Sequence, residues 1–144
     1  DPLRMAATAD RINLLLRGPT GAGKTHLAEA FHRISRRREG RFMVVDCAQI
    51  SSELVLGAEL FGYGRLSGFH DVPREGRPGK ALLAHEGTLF IDEIGCLPLE
   101  LQGRLLRLVE VGRFTPLGGT EEVKVDVQIV AALPNSLRGR VFDG

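Results

Sequence analysis

Short apolar runs and longer stretches with helical spacing alternate along this chain. Four runs are apolar enough to predict buried strands, and these are Ile12 to Leu16, Phe42 to Asp46, Thr88 to Ile91 and Val127 to Leu133. Strands that alternate with helices predict right-handed crossovers and a mostly parallel sheet with helices on both faces. The predicted fold class is therefore three-layer α/β.

Three stretches between these strands predict helices. The first covers His26 to Arg38. The second follows a candidate N-cap at Ser51 and stops at Gly62, and the third, Leu99 to Val111, is flanked by a proline and a glycine. The predicted core-facing residues are Leu27, Phe31 and Ile34 in the first helix, Leu54, Ala58 and Phe61 in the second, and Leu101, Leu105, Leu108 and Val109 in the third.

The segment Tyr63 to Lys80 loses this regularity because glycines and prolines interrupt it repeatedly. A loop of that length in a compact domain is usually functional or disordered. A short helix around Ala81 to His85 would return the chain to the third strand. Further on, Phe114 to Leu117 and Glu121 to Val125 flank Gly118-Gly119-Thr120, which predicts a hairpin with a glycine-based turn.

The composition agrees with one globular domain over residues 1–144, since 43% of the side chains are hydrophobic. A net charge of +1 gives no argument for a nucleic-acid partner. No apolar stretch approaches the length of a membrane span, so we expect no membrane partner and a cytoplasmic location. Cys47 and Cys96 lack metal-ligand spacing, and we expect both to be reduced core or near-core residues.

The first predicted strand runs directly into two glycines five residues apart that are followed by Lys24 and Thr25, the pattern of a phosphate-binding loop. Successive backbone N–H groups in such a loop face inward at a helix N-terminus, where the dipole favours phosphate. Lys24 would reach the β- and γ-phosphates, and the Thr25 hydroxyl would bind Mg²⁺. A glycine-rich turn that merely caps a helix is the alternative, which the flanking strand and helix disfavour. The predicted nucleotide-binding residues are Gly18, Pro19, Thr20, Gly21, Ala22, Gly23, Lys24, Thr25 and His26.

Two adjacent acids, Asp92 and Glu93, follow the third apolar strand, at the edge where open α/β sheets bind ligands. Asp92 would hold Mg²⁺ through its hydration shell, and Glu93 would orient and deprotonate the attacking water. Two exposed acids that only begin a turn are the alternative. The predicted catalytic residues are Glu93 and Lys24, and the predicted metal-binding residues are Thr25 and Asp92.

Several motifs in order resemble the AAA+ domain of sigma-54-dependent transcriptional activators, the bacterial enhancer-binding proteins. Besides the phosphate-binding loop they are Glu59-Leu60-Phe61-Gly62, Leu89 to Gly95, Leu101 to Arg107, Gly112 to Thr120 and Val125-Asp126-Val127. The resemblance implies a P-loop NTPase core that uses ATP and Mg²⁺. It also implies a homo-oligomeric ring whose hydrolysis moves a surface loop and remodels sigma-54 RNA polymerase, with the hairpin as a second moving insertion.

Three positions depart from the family pattern. The loop that contacts sigma-54 in the family reads GAFTGA, whereas Gly64 to Phe69 here has Leu66 in place of the phenylalanine, which leaves this contact open. Asp46 replaces the asparagine that restrains the catalytic glutamate, and two close carboxylates would repel or share a proton. The sensor asparagine is missing or displaced by one residue, since Pro134 precedes Asn135.

The sequence also ends before the family's trans-acting arginines, final strand and helical lid. We therefore expect a truncated AAA+ core that binds ATP but hydrolyses it poorly alone, with DNA contacted through a domain outside this sequence. A nucleotide-binding regulatory module without productive hydrolysis is one alternative function. A ring ATPase that acts on a partner other than sigma-54 polymerase is another.

Overall fold

The computed structural model of the protein describes residues 13–19, 23–65, 68 and 76–134. In chain order, the elements are β1 (Leu14–Arg17), α1 (Lys24–Ile34), β2 (Phe42–Asp46), α2 (Glu53–Phe61), α3 (Lys80–Leu83), β3 (Thr88–Asp92), a 3-10 turn (Ile94–Cys96), α4 (Leu99–Val111), β4 (Arg113–Phe114), β5 (Val123–Lys124) and β6 (Gln128–Leu133). None of the described helices combines the length and the apolar character needed to cross a membrane.

Four strands form one parallel sheet in the order β1-β6-β3-β2. The central strands β3 and β6 are the most deeply buried, and every residue of β6 is buried. Near-continuous burial is typical of parallel strands, because helices cover both faces of the sheet. The predicted parallel sheet is confirmed.

Helices lie on both sides of this sheet. On one face, α1 packs Ala28 and Phe31 against Phe90 of β3 and Val130 of β6. On the other face, α2, α3 and α4 contribute a larger apolar cluster that includes Leu56, Leu60, Ala81, Leu101, Leu105 and Leu108. The three-layer α/β architecture predicted from the sequence is therefore confirmed.

The predicted bounds of α1 were wrong at both ends. The helix begins at Lys24 and ends at Ile34, whereas the spacing predicted His26 to Arg38. Ser35 explains the early end, because it adopts an extended conformation and its hydroxyl donates to the His32 carbonyl at 2.7 Å. Serine hydroxyls compete with helical hydrogen bonds in this way.

The buried face of α1 also differs from the predicted one. Leu27 and Ile34 are 43% and 42% exposed, while His32 is only 5% exposed. The His32 ring lies between two partners, since Nε2 donates to the Gly40 carbonyl at 3.0 Å and Nδ1 accepts from the Thr88 hydroxyl at 2.8 Å. A histidine whose two ring nitrogens are hydrogen-bonded can thus be buried, although the hydrophobic pattern predicted that Leu27 and Ile34 would be buried instead.

The ends of the other long helices follow the predicted signals more closely. α4 has the predicted bounds and ends at Gly112, whose φ of 72° is left-handed. α2 ends at Gly62 as predicted, but its N-cap is Ser52 rather than Ser51, with the Ser52 hydroxyl accepting from the Val55 N–H at 3.3 Å. Leu54, a predicted core residue of α2, is 48% exposed.

The segment between α2 and α3 is anchored to the hairpin that follows α4. Tyr63 exchanges two backbone hydrogen bonds with Arg77, and the Gly64 N–H donates to the Leu117 carbonyl at 2.9 Å. The hairpin itself is confirmed, with Phe114 paired to Val123, although its ladder is shorter than predicted. We call residues 63–65 and 76–79 the loop stem. Residues 66, 67 and 69 of the predicted sigma-contacting loop lie outside the described residues.

Candidate nucleotide-binding site

The chain leaves β1 through Gly18 and Pro19 and enters α1 after Gly23. Thr20, Gly21 and Ala22 lie outside the described residues. Gly23 has a φ of 80°, and a Cβ added there would meet nothing within 4 Å. Glycine is therefore required at this position by the left-handed backbone rather than by lack of space.

Among the described residues, the N-terminus of α1 has features that favour an anion. Its first turn contains no acidic residue, and among the described residues no side chain caps it. The first helical bond runs from the Leu27 N–H to the Gly23 carbonyl, so the amides of Lys24, Thr25 and His26 precede the helical ladder. Unpaired N–H groups and the positive end of the helix dipole together favour phosphate.

Lys24 lies at the carboxyl edge of the sheet. Its side chain is 8% exposed, and its ammonium donates to the carbonyls of Gly18 at 2.8 Å and Leu133 at 3.0 Å. The Leu133 carbonyl also accepts from the Gly18 N–H at 3.3 Å. Lys24 thus connects the loop to the end of β6, a contact that the sequence motif did not predict because β6 lies 109 positions away.

Asp92 ends β3 at the same edge of the sheet. Because β6 separates β1 from β3, the ends of β1 and β3 are two strand spacings apart, roughly 10 Å. One Asp92 oxygen, Oδ1, accepts from the Glu93 N–H at 2.9 Å. The structure thus brings the predicted carboxylates and the predicted phosphate-binding loop to one edge.

Glu93 has an unusual backbone for a non-glycine residue, with φ 54° and ψ 50°. This left-handed conformation turns the chain directly from β3 into the 3-10 turn, where the Cys96 N–H donates to the Glu93 carbonyl at 2.9 Å. Such strain costs on the order of 1–3 kcal/mol and clusters at functional sites. Glu93 is therefore a candidate functional residue, since its backbone conformation fixes the direction in which its side chain leaves the chain.

The end of β2 adds a third carboxylate to this edge. Asp46 is paired in register with Asp92, and its Oδ1 accepts from the Ala48 N–H at 3.0 Å. The next residue, Cys47, is buried, and its N–H donates to the Asp92 carbonyl. Burial raises the pKa of the Cys47 thiol to about 12, with further contributions from Cys96 and the negative charges of Asp46, Asp92 and Glu93.

The two cysteines therefore differ. Cys47 is a core residue as predicted, but Cys96 is exposed, which contradicts the prediction of a core or near-core position. The reason is local, since the tight 3-10 turn that begins at the strained Glu93 holds Cys96 on its outer side.

The described residues combine a parallel three-layer α/β fold with a left-handed glycine before a helix that none of their side chains caps. A lysine and two adjacent acids lie at one edge of the sheet. These features define the class of P-loop NTPases. Within that class the family can be stated. Residues 3–144 match the model of the sigma-54 interaction domain, and the chain belongs to this family, the domain of sigma-54-dependent transcriptional regulators.

Several relatives of this chain are named as transcriptional regulators. The chain is 42% identical over 142 residues to the acetoin dehydrogenase operon transcriptional activator AcoR of Bacillus subtilis, covering 99% of this chain and 23% of that protein. It is 42% identical over 135 residues to the DNA-binding transcriptional regulator NtrC of Escherichia coli, covering 92% of this chain and 28% of that protein. The chain thus spans less than a third of the length of these relatives.

Solved structures agree with the assignment. The structure of NtrX from Brucella abortus in complex with ATP matches with a TM-score of 0.82 and 32% identity, over 99% of this chain and 29% of that one. The same protein in complex with ADP matches with a TM-score of 0.84 and 32% identity, over 99% of this chain and 30% of that one.

Proposed function

We propose that this chain is the ATP-binding and ATP-hydrolysing core of a sigma-54-dependent regulator that remodels RNA polymerase holoenzyme. The observation that carries the proposal is the convergence of the α1 N-terminus, Lys24 and the Asp92–Glu93 pair at one sheet edge. The similarity to NtrX, which has been solved in complex with ATP and with ADP, supports nucleotide binding by this chain.

Residues Gly18 to His26 would hold the nucleotide phosphates. Backbone amides at the start of α1 supply donors, and Lys24 supplies a positive charge that moves from two carbonyl oxygens to phosphate oxygens. The Lys24 ammonium already lies at the sheet edge where the phosphates would bind. Thr20, Gly21 and Ala22 belong to this set by the sequence motif alone.

The residues also fit Mg²⁺, because Thr25 offers a hydroxyl and Asp92 a carboxylate, the hard oxygen donors that this ion prefers. Bound Mg²⁺ would supply charge neutralisation on the phosphates. Asp92 Oδ2 would take this role while Oδ1 accepts from the Glu93 N–H. Glu93, directed by its left-handed backbone, would orient the attacking water and accept its proton.

A continuous set of contacts leads from Glu93 to the loop stem. Leu97 directly follows the 3-10 turn, and its carbonyl accepts from the Gln102 side chain of α4 at 2.8 Å. On the same helix, Arg107 makes two hydrogen bonds of 2.7 and 2.9 Å to Glu122 of the hairpin segment. The hairpin then contacts Gly64 through the Leu117 carbonyl, and this set of contacts would couple hydrolysis to the surface loop.

The remaining assignments follow from the family. The partner would be sigma-54 RNA polymerase, reached through the loop at Gly64 to Phe69, and the active form would be a homo-oligomeric ring. DNA would be bound by a domain outside this chain, and the protein would act in the cytoplasm with the polymerase. Because a neighbouring subunit's arginine completes each site in such a ring, we expect turnover per chain to rise with protein concentration.

The test is ATP turnover and ATP binding by the full-length protein. Lys24→Ala should weaken ATP binding at least tenfold, because removing a charge-assisted contact costs about 1.5–3 kcal/mol. Glu93→Gln should leave ATP binding intact and abolish turnover. Matched controls are Lys124→Ala and Glu39→Gln, which change exposed residues outside the site.

Addition of sigma-54 polymerase separates the alternative functions. Turnover together with promoter opening supports the proposal, whereas turnover without any effect on promoter opening favours a ring ATPase with another partner. ATP binding without turnover in the assembled wild type favours a regulatory module. Equal ATP affinity of wild type and Lys24→Ala would remove Lys24 from the site.

A further inference from the structure

Lys24 connects the phosphate-binding loop to the end of β6. Its ammonium donates to the Gly18 carbonyl at 2.8 Å and to the Leu133 carbonyl at 3.0 Å. The Gly18 N–H donates to the same Leu133 carbonyl at 3.3 Å. We call these three hydrogen bonds the lysine tie. They join the residue that follows β1 to the last residue of β6, so a side chain of the candidate site contacts the end of a central strand.

The lysine tie is buried. Lys24 is 8% exposed and Leu133 is 6% exposed. Among the described residues, the partners of the ammonium are the two carbonyl oxygens rather than a carboxylate. A buried ammonium is costly unless it is hydrogen-bonded, so both contacts contribute to holding Lys24 at this position. The tie therefore stabilises the loop and the end of β6 together.

The number of donors on Lys24 limits what it can bind at once. An ammonium has three N–H donors, and the lysine tie uses two of them. A lysine that reaches both the β- and γ-phosphates needs two donors for phosphate oxygens. One donor then remains for a carbonyl, so at least one of the two carbonyl contacts is released when the phosphates bind.

The contact with Leu133 is the easier of the two to release. The Leu133 carbonyl keeps the Gly18 N–H as a donor after the ammonium has left. The Gly18 carbonyl has Lys24 as its donor among the described residues. A buried carbonyl that keeps one donor costs less than one that loses every donor. The Leu133 contact is also the longer one.

We propose that phosphate binding at the loop releases the Leu133 carbonyl from Lys24 and thereby loosens the end of β6. The inference rests on the proposed function, since it takes Gly18 to His26 as the phosphate site. The position of Lys24 determines whether the last residue of β6 is held by two donors or by one. Because the chain continues from β6 directly into Pro134, the presence of phosphate is transmitted to the segment that follows.

Hydrogen exchange of the full-length protein, followed by mass spectrometry, tests this release. The probe is tripolyphosphate with Mg²⁺, which carries the phosphates without the nucleoside. Its addition should speed exchange of the amides at the end of β6 about tenfold, the change expected for the loss of one charge-assisted hydrogen bond. The amide of Val130, further inside β6, should exchange at an unchanged rate. A ligand that only covered the site would slow exchange, so the sign is decisive.

Lys24→Met separates the lysine tie from phosphate binding. Methionine fills a similar volume but donates no hydrogen bond. Without any ligand, this variant should therefore show the fast exchange at the end of β6 that the wild type shows only with tripolyphosphate. Addition of tripolyphosphate should then change nothing at the end of β6. The matched control is Lys124→Met, which changes an exposed lysine and should behave like the wild type.

Crystal structures of the full-length wild type with and without tripolyphosphate make the test independent of the variant's folding. Without tripolyphosphate, the distance from Lys24 Nζ to the Leu133 carbonyl oxygen should stay near 3.0 Å. With tripolyphosphate, it should exceed the hydrogen-bonding range of roughly 3.5 Å.

Binding of tripolyphosphate without a change in that distance, or with slower exchange at the end of β6, would overturn the release. Exchange in Lys24→Met equal to that of the wild type would overturn the stabilising role of the lysine tie. Both outcomes leave the proposed function intact, because calorimetry would still detect nucleotide binding. Failure of both tripolyphosphate and ATP to bind would instead overturn the proposed function and the release with it.

Discussion

The left-handed backbone at Glu93 leads to a prediction about stability that has an unusual sign. Replacing Glu93 by glycine should give a more stable protein than replacing it by alanine, although both variants lose the carboxylate. At an ordinary helical position the order is reversed, because glycine is roughly 0.5–1 kcal/mol less favourable than alanine. The difference between the two variants isolates the backbone from the side chain.

The magnitude follows from two opposing contributions. A residue with a Cβ pays about 1–2 kcal/mol in the left-handed region, and Glu93 lies there with φ 54°. Glycine avoids that cost but loses about 0.5–1 kcal/mol through the greater freedom of the unfolded chain. The net expectation is that Glu93→Gly exceeds Glu93→Ala by about 0.5–1 kcal/mol in free energy of unfolding.

Glu86 provides the matched control. It is the other described non-glycine residue with a positive φ, at 66°, and it lies before β3 at the opposite end of that strand. Glu86→Gly should also exceed Glu86→Ala by about 0.5–1 kcal/mol, since the backbone cost is the same. Only the changes at Glu93 should abolish ATP turnover by the full-length protein.

Urea denaturation followed by circular dichroism measures these differences with the 144-residue chain. Variants at one position share the same extent of unfolding, so a shift in midpoint reports stability when the slope is unchanged. If Glu93→Gly proves less stable than Glu93→Ala, the backbone at Glu93 is not strained and its conformation carries no functional information.

Three further predictions concern buried and constrained positions. Burial lowers the pKa of His32, so the folded state takes up this proton less readily than the unfolded state, and stability should fall as pH drops below about 6.5, by at most about 1.4 kcal/mol per pH unit. His32→Gln should reduce the dependence of the urea midpoint on pH in that window. An unchanged pH dependence would contradict a lowered pKa for His32. Gly103→Ala should stabilise the protein by about 1 kcal/mol because a Cβ there meets nothing within 4 Å, whereas Gly87→Ala should cost about 2 kcal/mol or more because its Cβ would lie 2.2 Å from the Arg41 carbonyl oxygen. The Gln128 amide is buried without a hydrogen-bond partner among the described residues, so Gln128→Met should raise the thermal midpoint, and a lower midpoint would show that the amide is paired in solution.

The sequence was most informative where local chemistry determines an element. β2 has the predicted bounds, Phe42–Asp46, and α4 has the predicted bounds because Pro98 and Gly112 mark both ends. The phosphate-binding loop and the pair Asp92–Glu93 could be placed at one edge because parallel strands share the direction of their carboxyl ends.

The errors lie where a partner far along the chain determines the outcome. His32 is buried in place of Leu27 because Thr88 and Gly40 satisfy its ring, and neither partner is visible from the spacing of α1. The contact of Lys24 with the Leu133 carbonyl was also missed, because that partner lies far along the chain. Strain at Glu93 was also invisible, since a glutamate gives no sequence signal for a left-handed backbone.

The unequal cysteines make the protein suited to single-site labelling. Burial raises the pKa of the Cys47 thiol to about 12, so at pH 7 it is far less reactive than an ordinary cysteine, and Cys47 is only 3% exposed. Cys96 is exposed and stands three residues after Glu93. Within this 144-residue chain, a maleimide fluorophore would therefore attach at Cys96, without removal of the second thiol, and report on the turn beside the candidate catalytic glutamate as nucleotide binds and leaves.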